Sequence, residues 1–199
     1  MKILIFIEKA LLYLFWICTS LAFDEPRIAI LTMLSAVIHE LGHLSATLKL
    51  KNGSPLKLKA KISGPKLGIG RLSYGEELFV TLSGPLANLA ACIPSLILFL
   101  LIKHRFLCEF TVINILTALS NLSPIVGFDG YKILYCLVAR SNLSPRFFDL
   151  LYWCSFLLTS ILVFLSLYFL LKLGEGYWTF ALFFSILITE ISKRQNRAI

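Results

Sequence analysis

From Leu78 to Ile102 the chain carries no charged side chain over 25 residues. As a helix this run would be about 37 Å long, more than the roughly 30 Å of a bilayer's hydrocarbon core. Backbone inside lipid must satisfy its own N–H and C=O groups, which leaves helices and closed barrels as spanning structures. Similar apolar runs extend over Ile3–Phe23, Ile28–Leu50, Phe110–Ala139, Phe147–Leu171 and Tyr177–Ile191. With 58% hydrophobic and only 15% charged residues in a chain of 199, a soluble domain could not hide so much apolar surface. The expectation is an all-α integral membrane protein of about six transmembrane helices, forming a single domain over residues 1–199. The run Phe110–Ala139 is too long for one simple span, and "NLSPIVGFDG" interrupts it with proline and glycines that discourage regular helix. The first run has no small-residue cleavage site, so a removable signal peptide fits poorly.

A net charge of +8 could suit nucleic acid, but the placement of the charges argues for a membrane surface and against a nucleic-acid partner. With the N-terminus inside, the cytoplasmic side receives Lys2, the basic loop from Lys49 to Arg71, then Lys132, Arg140, Arg146, Lys193, Arg194 and Arg197. The opposite side receives only Arg27, Lys103, Arg105 and Lys172. This bias predicts a multi-pass protein of the cell membrane with both termini cytoplasmic. The five cysteines stand singly without a CxxC pair and read as small buried hydrophobes.

Within the basic loop, "PLKLKAKI" alternates lysine with apolar residues at the period of a strand. "SGPK" is a turn signal and "LGIGRLSY" a candidate return strand. A small membrane-surface β-hairpin between the second and third helices is expected, the alternative being a disordered basic loop.

The second run contains "HELGH", His39 to His43. Residues four apart share a helix face, so His39 and His43 can grip one metal ion, and Glu40 can act as general base on a water at that metal. Zinc suits this ligand set and acidifies such a water. An ionisable residue in mid-span costs about 2.5–3.5 kcal/mol even on lenient scales, so three together point to function rather than to a polar patch between helices. Counting back from Lys49, His43 lies about 9 Å and His39 about 15 Å from the cytoplasmic end of the helix. The site is therefore expected inside the bilayer, nearer the cytoplasm.

A catalytic zinc usually takes three protein ligands and keeps one position open. His104, in "IKHRF", falls in a loop on the opposite side. Asp129, in "NLSPIVGFDG", is the better third ligand, because a lone carboxylate and irregular backbone are both costly at membrane depth. Taken alone, a kinked helix with a hydrogen-bonded aspartate explains Asp129 equally well.

HELGH, "SGPLAN" at Ser83–Asn88, and Asn121-x-x-Pro124-x4-Asp129-Gly130, in this order, resemble the motifs of the site-2 protease family of intramembrane metalloproteases. The resemblance implies one Zn2+ per chain on His39, His43 and Asp129, with Glu40 as catalytic base. It also implies that Asn121 and Asn88 help to hold the substrate or polarise its carbonyl. The substrate would be a membrane-embedded or membrane-associated protein, cut within or beside its membrane segment. The likeness is strongest to the six-span bacterial branch that includes stage IV sporulation protein FB. The sequence predicts neither a PDZ insert nor a C-terminal CBS domain. Two rival readings are a catalytically silent membrane scaffold, which would not need Glu40, and a metal carrier, for which three histidines are few. Lys132, one turn after Asp129, reads as tuning the site or as a snorkelling or ion-paired lysine. Glu8 and Lys9 read as residues near the cytoplasmic interface.

Overall fold

In the computed structural model the described residues are 26–50, 58–61, 64–67, 72–141, 143–174 and 177–195. The expected first span Ile3–Phe23, with Glu8 and Lys9, and both chain termini lie outside them. The elements in chain order are α1 (Pro26–Leu50), β1 (Leu58–Lys61), β2 (Gly64–Leu67), α2 (Tyr74–Ile102), α3 (Arg105–Asn121), α4 (Asp129–Arg140), α5 (Arg146–Leu173) and α6 (Tyr177–Gln195).

Three helical stretches are long and apolar enough to cross a membrane: Arg27–Leu50, Tyr74–Ile102 and Arg146–Lys172. The expected six are thus not reached among the described residues. The run Phe110–Ala139 is two helices of 17 and 12 residues, not one span. Between them Pro124 supplies no N–H, and Gly127 adopts φ +108°, which a residue with a side chain rarely takes. The apolar part of α6 is confined to Thr179–Ser192, shorter than a bilayer crossing.

The strands pair antiparallel in the register Leu58–Leu67, Lys59–Lys66, Ala60–Pro65 and Lys61–Gly64. Of the expected turn "SGPK", residues Gly64 to Lys66 belong to β2, and of the described residues of "LGIGRLSY" only Leu67 is in a strand. Leu72 and Ser73 are not paired, and Tyr74 opens α2. The reason is a capping box: Ser73 Oγ accepts from the Glu76 N–H at 3.3 Å while the Glu76 carboxylate accepts from the Ser73 N–H at 2.8 Å. Residues 68–71 of the expected return strand lie outside the described residues.

The chain divides into two compact units, one ending at Ser120 and one beginning at Asn121. In the first, α1 lies along α2. The buried face of α1 carries Leu31, Ser35, His39, Gly42 and Ala46 at helical spacing, and that of α2 carries Thr81, Gly84, Pro85, Asn88, Cys92 and Ser95. Apart from Leu31, both stripes are small or polar. The other faces expose Met33, Val37, Leu41, Leu44, Leu100 and Leu101. Small and polar residues inside with leucine outside is the pattern of helices packed in lipid, where burial of leucine drives little and close backbone approach matters. Gly42 shows that approach: a Cβ there would overlap Ser83 O and stand 2.7 Å from Ala87 Cβ.

In the second unit α5 packs on α4 and α6. Its buried stripe, Leu151, Ser155, Thr159, Val163 and Ser166, is small or polar apart from Leu151 and Val163, and α6 contributes the fully buried Glu190. The segment 122–128 is held close to the start of α4, where a Cβ at Gly130 would overlap the carbonyl groups of Leu122 and Ser123.

Candidate metal centre

His39 and His43 lie one turn apart on the face of α1 that meets α2, so α2 decides how the imidazoles stand. The His43 Nδ1 is 2.8 Å from Val80 O. A carbonyl only accepts, so Nδ1 carries the proton and Nε2 is the acceptor nitrogen. The His39 Nδ1 is 2.8 Å from Asn88 Oδ1. The orientation of that amide follows from its other end, where Nδ2 donates to Ser35 O at 2.9 Å. Oδ1 therefore faces His39, Nδ1 donates, and Nε2 is again the acceptor nitrogen.

The two Nε2 atoms converge to 3.2 Å, with the rings edge-to-face and their centroids 4.7 Å apart. Two acceptor nitrogens aimed at one point suit a cation. In a tetrahedral zinc site with Zn–N bonds of about 2.0–2.1 Å, two nitrogens stand about 3.3 Å apart, so the observed pair fits. Gly84 opens the space beside them: a Cβ there would overlap His43 Cε1 and Nε2 and stand 2.9 Å from His39 Cε1.

Asp129 is the first residue of α4 and is 4% exposed. The positive end of the helix dipole favours a carboxylate at this position. Lys132, one turn on, donates to Asp129 Oδ1 at 3.2 Å, which is the ion-paired reading of that lysine. The first unit thus turns two imidazole nitrogens, those of His39 and His43, to one point, and the second presents the Asp129 carboxylate at the start of α4. Imidazole and carboxylate donors suit zinc and other first-row divalent ions, and they do not by themselves choose among them.

Glu40 is exposed and lies about 60° around α1 from His43. His104 is exposed between α2 and α3, and its Nδ1 accepts from the Phe106 N–H at 3.3 Å. Asn121 ends α3 and is half-buried. Asn88 is 0% exposed and its whole amide is engaged, with His39 and Ser35 as above and with Asn114 Oδ1 at 2.9 Å. What it touches is His39, a candidate metal ligand, a role that the resemblance to a substrate-binding motif did not suggest.

Sequence reading passed over the residues behind Asn88. Ser35 Oγ lies 3.1 Å from Asn114 Oδ1 and 2.9 Å from Thr117 Oγ1, and Asn114 Nδ2 donates to Phe110 O at 2.9 Å. The available signal was Asn114 itself, an amide in the middle of an apolar helix, which at membrane depth needs partners. No protein-family model matches this chain, and no curated protein is significantly similar to it.

Proposed function

We propose that the chain is an intramembrane zinc endopeptidase of the site-2 protease type, cutting a membrane-embedded or membrane-associated protein within or beside its membrane segment. The observation that carries this reading is the convergence of the His39 and His43 Nε2 atoms on a helix that also carries Glu40 and is apolar enough to cross a bilayer.

In this reading His39 and His43, through Nε2, and Asp129, through its carboxylate, hold the metal. A zinc ion bound there would supply a Lewis acid for the scissile carbonyl and acidify the attacking water. As the water oxygen bonds to the carbonyl carbon, Glu40 takes one water proton on its carboxylate. As the C–N bond breaks, Glu40 returns that proton to the leaving amine nitrogen. Asn121 contacts the substrate. A helix hides its carbonyls in its own hydrogen bonds, so the substrate is unwound locally before attack. The surplus of lysine and arginine in the loops after α1 and around α4 supports an active site nearer the cytoplasmic face, with both termini on that side.

The test is co-expression with candidate single-span membrane proteins, comparing the native chain with Glu40→Gln and scoring zinc-dependent cleavage. Cleavage by the native chain alone supports the protease. Equal processing by both chains, or capture of a client by both without cutting, supports a scaffold and overturns it.

A further inference from the structure

A second buried carboxyl stands apart from the metal ligands. Glu190, on α6, is 0% exposed and lies near the end of the apolar stretch Thr179–Ser192. A carboxyl group in such surroundings is costly unless hydrogen-bonded. Ser155 Oγ of α5, itself 0% exposed, donates to Glu190 Oε1. The same hydroxyl accepts from the backbone N–H of Val126 at 2.8 Å. Tyr152, one turn before Ser155, donates its hydroxyl to the backbone O of Glu190 at 3.1 Å.

Val126 belongs to the irregular segment 122–128, three residues before Asp129. Irregular backbone at membrane depth needs a protein partner for every N–H, and Ser155 is the partner here. A hydroxyl has one proton and two lone pairs. With its proton committed to Glu190, Ser155 turns a lone pair toward Val126. Without Glu190, a helical serine turns its proton to the carbonyl four residues earlier, here Leu151 O, and the lone pair facing Val126 swings away.

We infer that Glu190 is a positioning residue for the metal centre: through Ser155 it fixes the Val126 backbone and so the start of α4, where Asp129 stands. This inference rests on the reading of Asp129 as a metal ligand. It predicts that the carboxyl's role is that of an acceptor, not of a charge, so that an amide replaces it and an isosteric hydrocarbon does not.

The experiment uses the purified full-length chain in detergent, as native protein, Glu190→Gln, Glu190→Leu and Ser155→Ala. Two quantities are measured: zinc affinity by chelator competition, and hydrogen exchange of peptides covering residues 122–128. Glu190→Gln is expected to match the native chain in both. Glu190→Leu and Ser155→Ala are expected to exchange faster at 122–128 and to bind zinc roughly tenfold or more weakly, as loss of groups that orient metal ligands generally does. If Glu190→Leu does not fold, Ser155→Ala with the same two readouts decides. Native exchange and native zinc affinity in Ser155→Ala overturn the inference. A native chain that binds no zinc overturns the metal site itself, while the exchange data still judge the Val126 contact.

Discussion

The Nδ1 atom of His39, on α1, lies 2.8 Å from the side-chain oxygen of Asn88, on α2. The contact commits the His39 proton to Nδ1 and turns Nε2 toward His43, 3.2 Å away. An apolar residue at position 88 would leave a buried imidazole N–H without an acceptor, which costs about 1–3 kcal/mol. It would also leave the ring's tautomer unset. Asn88→Leu is therefore expected to lower zinc affinity by roughly 10–100-fold while Glu40 and the proposed ligands remain. Asn88→Asp keeps an acceptor and is expected to retain more of the affinity. Chelator competition on the purified variants measures both.

Glu40→Gln should separate binding from chemistry. Glutamine keeps the size of the side chain but cannot take up a proton at neutral pH. Zinc content is expected to stay near native, while cleavage falls by about 10²–10⁴-fold or more, the usual contribution of a general base. Metal analysis and turnover on the same preparation check this. Near-native turnover would rule out the role assigned to Glu40.

Asp129→Ala removes the carboxylate proposed to join His39 and His43 at the metal and is expected to lower zinc occupancy strongly. His104→Ala changes an exposed residue of the α2–α3 connection and is expected to leave occupancy unchanged. Lys132→Met removes the donor to Asp129 Oδ1. Because the Lys132 side chain is 52% exposed, the pair contributes only about 0.2–1 kcal/mol. Zinc binding should then tighten by a factor of about five at most. Metal titrations of the three variants rank them, and loss of zinc in His104→Ala would contradict the ligand set.

The two glycines between α1 and α2 should fail in different ways. At Gly42 an added Cβ meets the backbone oxygen of Ser83 and Ala87 Cβ, so Gly42→Ala is expected to push the helices apart. The cost should be about 1–3 kcal/mol, as overpacking a tight interior generally is. At Gly84 the added Cβ meets the two imidazoles, so Gly84→Ala is expected to displace His43 and weaken zinc binding more than it lowers stability. Thermal unfolding in detergent, read beside zinc affinity, distinguishes the two.

Much of this was legible in the chain itself. The long uncharged runs called for helices in lipid, and α1, α2 and α5 are long and apolar enough for it. Three ionisable residues at helical spacing in such a run, and a carboxylate in "NLSPIVGFDG", singled out His39, His43, Glu40 and Asp129 because each is costly at membrane depth without a task. The Pro and Gly residues of that segment marked the break between α3 and α4, since they remove donors and admit backbone that other residues resist.

Packing decided the rest. No spacing rule says that Val80 O and Asn88 Oδ1 hold the two imidazoles with Nε2 inward, because hydrogen-bond partners 37 and 49 residues away depend on how α2 lies along α1. Gly84 looks like any glycine in an apolar run until its missing Cβ is seen to make room for His43. Glu190 looks like a charge near the end of a helix, and only the meeting of α5 and α6 buries it against Ser155. Local composition determines which segments leave water. Which polar atoms then face each other is settled by the approach of helices distant in sequence, because in lipid each such atom must find its partner within the protein.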